Sequence, residues 1–126
     1  MVKEIFSETD VSPKIAVAKS MQARLLIGLE IDPQDDFLQS RTALLVNADI
    51  HIGLAAPKQS LRSYFYKNAD ADELLFIHRG KGTLRTQLGN IHFEYGDYLL
   101  IPRGMIYQID FDGEDNRLLY AESFHP

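Results

Sequence analysis

The chain has 126 residues, 45% of them hydrophobic and 25% charged, and 13 Lys and Arg against 18 Asp and Glu leave a net charge of −5. That length supports one hydrophobic core, and a mildly acidic chain without a Lys/Arg run has no electrostatic footing for nucleic acid or an anionic membrane. The lack of cysteine removes disulfides, thiolate nucleophiles and thiolate zinc sites.

No run of apolar residues is long enough to span a bilayer. The opening MVKEIFSETDVSPK carries charges where a secretory signal needs an apolar stretch, so a cytoplasmic home is expected. The first forty residues are ambiguous. SPKIAVAKSMQARLLIGLEI reads either as an edge strand plus a second strand or as a short helix around Val17–Arg24, and DPQDDF reads as a turn.

From Thr42 onward the pattern is short strands and turns. TALLV leads through a turn to IHIGLA, where Ile50, Ile52 and Leu54 alternate with His51 and Gly53, a period of two. APKQS is a loop, and LRSYFY is an aromatic-rich strand. DELLFIH is the next strand. Arg79-Gly80-Lys81-Gly82 closes it, and those glycines suit the positive φ of a tight hairpin into TLRTQL. Gly89-Asn90 signals another hairpin. IHFEY then places Ile91, Phe93 and Tyr95 on one face, with His92 and Glu94 on the other. YLLI is broken by Pro102-Arg103-Gly104. In IYQIDF, Tyr107, Ile109 and Phe111 share a face, and after the polar turn DGEDN comes the last strand, RLLYAESF. Many short strands, Gly- and Pro-rich turns and no convincing amphipathic helix predict an antiparallel sandwich or barrel.

Two stretches carry a family resemblance. Glu73 and Gly80 are spaced as in the first cupin motif. GDYLLIPRGMIY, from Gly96 to Tyr107, fits the second: glycine, five residues, proline, one residue, glycine, two residues, ligand position. More specifically, SYFYKNADADELLFIHRGKGTLRTQLG, IHFEYGDYLLIPRG and RLLYAES resemble the amino-terminal domain of homogentisate 1,2-dioxygenase and its bacterial relatives. The resemblance implies an all-β, antiparallel cupin-type double-stranded β-helix, or jelly-roll barrel. It implies one cupin domain over 1–126, with 1–40 as amino-terminal strands or arm and 41–124 as the barrel.

In that family the iron is held by two histidines and a glutamate in a carboxyl-terminal region. A working cupin metal site uses two histidines before the glutamate and a third on the second motif. Mapped onto this chain, the first pair falls on Tyr66–Asn68 or Lys67–Ala69 and the third on Tyr107, so only Glu73 remains. One carboxylate and a phenol do not make a tight site for iron, manganese or zinc. No metal, no cofactor and no catalytic residue are therefore expected.

The four histidines show neither His-x-His nor helical spacing. His51 and His92 are expected to face solvent, His78 to point away from Glu73, and His125 to lie at the chain terminus. An inward Glu73 needs a partner, with Lys67, Arg103 and the Tyr107 hydroxyl as the candidates. The functional alternative is a small metal-free pocket lined by Tyr66, Asn68, Glu73 and Tyr107.

RGKG lacks the spacing and the following helix of a phosphate loop. No serine sits in a Gly-x-Ser-x-Gly elbow, and Asp70, Asp72 and Glu73 do not continue into a calcium loop. Three functional readings follow: a non-catalytic barrel with a structural role beside a dioxygenase half, a stand-alone small-molecule binder (sensor or carrier), or a Glu73/Tyr107 acid–base enzyme such as an isomerase. The expected partners are a second copy in a homodimer, a carboxyl-terminal dioxygenase half, or a small ligand. Edge strands would provide the dimer contact, with Ile15–Ile31 available for swapping or edge pairing.

Overall fold

A computed structural model of the chain describes residues 23–126. The expectations for residues 1–22, including most of the helix around Val17–Arg24 and the first part of the swapping segment Ile15–Ile31, lie outside the described residues. Within 23–31 there is no strand; a single 3-10 turn occupies Gly28–Glu30. Downstream, Asp36 Oδ1 accepts from the backbone N–H groups of Leu38 and Gln39 at 2.9 and 3.0 Å, fixing the turn that delivers the chain into the barrel.

Nine strands follow: β1 (Arg41–Val46), β2 (Ile50–Ala55), β3 (Leu61–Lys67), β4 (Asp72–Arg79), β5 (Gly82–Thr86), β6 (Gly89–Phe93), β7 (Tyr98–Ile101), β8 (Ile106–Phe111) and β9 (Arg117–Ser123). They form two antiparallel sheets. One has five strands in the order β1-β2-β9-β4-β7, and the other has four in the order β3-β8-β5-β6. This is the antiparallel two-sheet architecture that the alternating pattern predicts, and the double-sheet jelly roll that the cupin resemblance implies.

The period of two sets the core. Leu75 and Ile77 on β4, Leu118 and Tyr120 on β9, and Leu99 and Ile101 on β7 point inward from one sheet. Leu84, Phe93, Tyr107, Ile109 and Phe111 meet them from the other. Two expectations need adjusting. Neither Ile91 nor Tyr95 is buried with Phe93: Ile91 shares its face, opposite the buried Leu84, but stands exposed on the edge strand β6, and Tyr95 lies two residues beyond that strand's end. Nor does Arg79-Gly80-Lys81-Gly82 close a hairpin. β4 pairs with β7 and β9, and β5 pairs with β6 and β8, so this turn carries the chain from one sheet to the other. Its glycines serve that crossing. Gly80 has φ +104°, and a Cβ on Gly82 would lie 1.8 Å from the Asp110 carbonyl oxygen.

Candidate functional site

Glu73 is 1% exposed and points into the barrel. Strand register explains its neighbours: Glu73 on β4 pairs with Glu122 on β9 and Ile101 on β7, and Glu122 pairs with His51 on β2. These residues share one inward-facing row. On the opposite sheet Tyr66 of β3 pairs with Tyr107 of β8, and the two rings meet edge to face with centroids 5.5 Å apart.

The Tyr107 hydroxyl donates to Glu73 Oε1 at 2.9 Å. Asn68 Nδ2 donates to Glu122 Oε2 at 2.9 Å, while Asn68 Oδ1 accepts from the backbone N–H groups of Asp70 and Ala71 and so closes the turn into β4. Between the two carboxylates lies Arg41 from the start of β1. Its Nη1 is 3.5 Å from Glu73 Oε2, and its Nη2 contacts Glu122 Oε1. Its guanidinium carbon stands 4.0 Å from the centroid of the Tyr120 ring.

Tyr66, Asn68, Glu73 and Tyr107 are thus brought to one end of the barrel, packed on each other and on Arg41. Tyr107 is one of the three partners considered for Glu73. The other two are not: Lys67 is exposed, and Arg103 instead holds Asp72 through its backbone N–H at 2.8 Å. Arg41 and Glu122 are the two members that strand-by-strand reading misses. Glu122 left a signal, because it continues the inward phase of Leu118 and Tyr120. His51 also needs correcting. It lies in the inward row beside Glu122, with its ring 4.6 Å from that of Phe124. His92 and His78 are exposed, and His92 Nδ1 lies 3.0 Å from the Thr83 hydroxyl.

The electrostatics follow from burial. Burial pushes the Glu73 carboxyl up, against the pull of the Arg41 charge and of the Tyr107 and Asn68 hydrogen bonds. Burial first, then the Glu73 charge, holds the Tyr107 hydroxyl well above the usual phenol range. Tyr66 is raised by the same two causes in the same order. Tyr107 therefore remains a phenol and acts as a donor; it has no means of serving as a base near neutral pH.

The family's iron does not fit this donor set. Two carboxylates share the barrel end, and both already face a guanidinium, which repels any added cation. Among the described residues no group of three or more His, Cys, Asp or Glu side chains could hold a metal ion.

A jelly roll of this topology is a cupin, and solved cupins superpose on it. A cupin-2 domain protein from Shewanella frigidimarina matches with a TM-score of 0.62 at 18% identity, covering 75% of this chain and 87% of its own. The Cnp3 cupin domain of Schizosaccharomyces pombe matches with a TM-score of 0.61 at 16% identity, covering 68% of this chain and 64% of its own. At these identities the likeness concerns the fold. Sequence narrows the class further. The family model described as "Homogentisate 1,2-dioxygenase N-terminal" matches residues 28–126, and the chain belongs to that family. A Saccharolobus solfataricus protein, named provisionally as a dioxygenase, is 36% identical over 76 residues. That stretch covers 60% of this chain and only 20% of the relative.

Proposed function

We propose that this chain is a non-catalytic cupin barrel of the homogentisate dioxygenase type, whose role is structural, beside a separate oxygen-activating half. One observation carries the reading: the guanidinium of Arg41 stands against Glu73 and Glu122 at the barrel end where a cupin would gather metal ligands. A fixed cation in that place does electrostatically what a bound ion does for two carboxylates, and it carries no redox chemistry. The acid–base enzyme reading is disfavoured by the same contacts, since Tyr107 and Glu73 are occupied by each other and buried.

The experiment is metal analysis and oxygen uptake on tag-free protein incubated with ferrous iron. Far less than one iron per chain and no oxygen consumption with homogentisate are expected. One tightly held iron per chain would overturn the reading.

A second reading, a metal-free small-molecule binder, draws support from a cavity of about 270 Å³ outside the barrel, between the segment Gly28–Ile31 and strands β2, β4 and β9. A thermal-shift screen that raises Tm with small apolar ligands in the wild type, but not in Phe76→Trp, would favour it.

A further inference from the structure

The cavity of about 270 Å³ beside β2, β4 and β9 has walls of two kinds. Most of the lining is apolar: Leu29 and Ile31 come from the covering segment, and Leu54, Phe76 and Leu119 from the sheet. A Cβ on Gly28 would come within 2.2 Å of Leu54 Cδ1, so the segment seats closely on β2. The rest is basic. Arg117, at the start of β9, and His78, near the end of β4, also line the cavity.

The Arg117 side chain is 12% exposed. Its Nη1 donates to the Ile31 carbonyl and so ties the covering segment to the sheet. Its Nε is buried and has no hydrogen-bond partner. Asp115 Oδ1 stands 3.7 Å from that nitrogen, beyond bonding reach. Register sets Arg79 of β4 directly opposite Arg117, and Arg79 Nη1 donates to Asp115 Oδ2 at 3.0 Å. Two guanidiniums thus face one carboxylate, itself 60% exposed. A positive charge is left over beside an apolar cavity, in a chain whose total is −5. A buried guanidinium donor without an acceptor costs free energy, and a ligand that supplies the acceptor recovers it.

We infer that this cavity is a binding site for a small monocarboxylate with an apolar body, its head group on Arg117 and its tail between Leu29, Leu54, Phe76 and Leu119. The inference rests on the small-molecule reading above and adds the chemistry of the ligand to it. Charge and size select the class. Two arginines repel a cation. A neutral apolar molecule fills the space but leaves Nε unpaired. A carboxylate accepts from it in a charge-assisted bond, and one negative charge matches the one left unbalanced. At about 30 Å³ per water-sized group, the volume admits on the order of ten non-hydrogen atoms, so the tail is short.

The test is isothermal titration of the full chain at neutral pH with octanoate and with 1-octanol, which has the same tail and no charge. The wild type is expected to bind octanoate at least about tenfold more tightly, the worth of one charge-assisted hydrogen bond. Arg117→Gln should erase that preference and leave 1-octanol binding in place. Phe76→Trp, which takes up the space of the tail, should weaken both ligands. Equal affinity of the wild type for the two ligands overturns the carboxylate site and leaves the binder reading standing; binding of neither overturns both. A preference that survives Arg117→Gln, or octanoate binding indifferent to Phe76→Trp, also overturns the site. Arg117 anchors Ile31 as well, so if Arg117→Gln loses both ligands, Arg117→Lys decides: a preference for octanoate restored by the ammonium supports the site, and its absence overturns it.

Discussion

Two buried carboxylates in this barrel meet arginine in opposite ways. Asp110 on β8 is held by Arg62 Nε at 2.6 Å and Arg85 Nε at 2.5 Å, and both guanidiniums reach in from solvent. Glu73 on β4 has a single buried guanidinium at 3.5 Å, shared with Glu122. Burial pushes both acids up. At Asp110 the two close arginines overcome it and the carboxyl ends below its ordinary value, whereas Glu73 stays above its own. A hydrated arginine on a flexible stem adjusts to ideal geometry at little desolvation cost. A buried one stays where packing puts it, and here Arg41 Nε and Nη1 and Glu73 Oε2 have no hydrogen-bond partner. The Glu73 end of the barrel is therefore high in cost and specific in arrangement, and the Asp110 cluster is cheap and robust.

The largest break in this contrast is Arg41→Met. It leaves Glu73 and Glu122 buried together without a cation and should cost about 3–5 kcal/mol at neutral pH in urea unfolding. The loss should shrink in acid, where a proton replaces the guanidinium. Tyr107→Phe removes one donor from Glu73 and should cost about 1–3 kcal/mol, with Tyr66→Phe as the comparison.

The two acids should also give opposite pH profiles. Glu73 has a raised folded pKa, so its stabilising contribution is complete below its ordinary value of 4.5 and is lost as pH climbs through the raised value. Asp110 has a lowered one, so its contribution is present above 3.8 and is lost as pH falls. Glu73→Gln should flatten the neutral side of the stability curve, and Asp110→Asn the acid side. If both variants flatten the same side, the contrast fails. The smallest effect belongs to Arg85→Ala, at about 0.2–1 kcal/mol. It should fade as salt is raised, while the Arg41→Met penalty should not.

Sequence reading located the strands because one-sided burial writes a period of two into β2 and β8, aromatic and apolar runs mark β3, β4 and β7, and the turn glycines mark where strands stop. It also proposed the neighbourhood of Tyr66, Asn68, Glu73 and Tyr107 through the cupin spacing. What it lacked was pairing. Arg41 reaches Glu73 only because β1 and β2 are laid beside β9 and then β4, a relation among strands far apart in the chain that no local pattern records. The Gly80–Gly82 turn misled for the same reason. Turn chemistry says that the chain reverses, and it is silent on whether the two arms then bond to each other.

The place of β9 has a further consequence. β9, the barrel's last strand in chain order, lies between β2 and β4 and joins both through every residue from Leu118 to Ser123. Until Arg117–Ser123 is synthesised, β1–β2 and β4–β7 are two separate ribbons with open edges, so this half of the barrel closes only once translation has passed its final strand. A chain cut after Phe111 would accumulate as a sticky, unclosed species; it would not be a smaller folded protein.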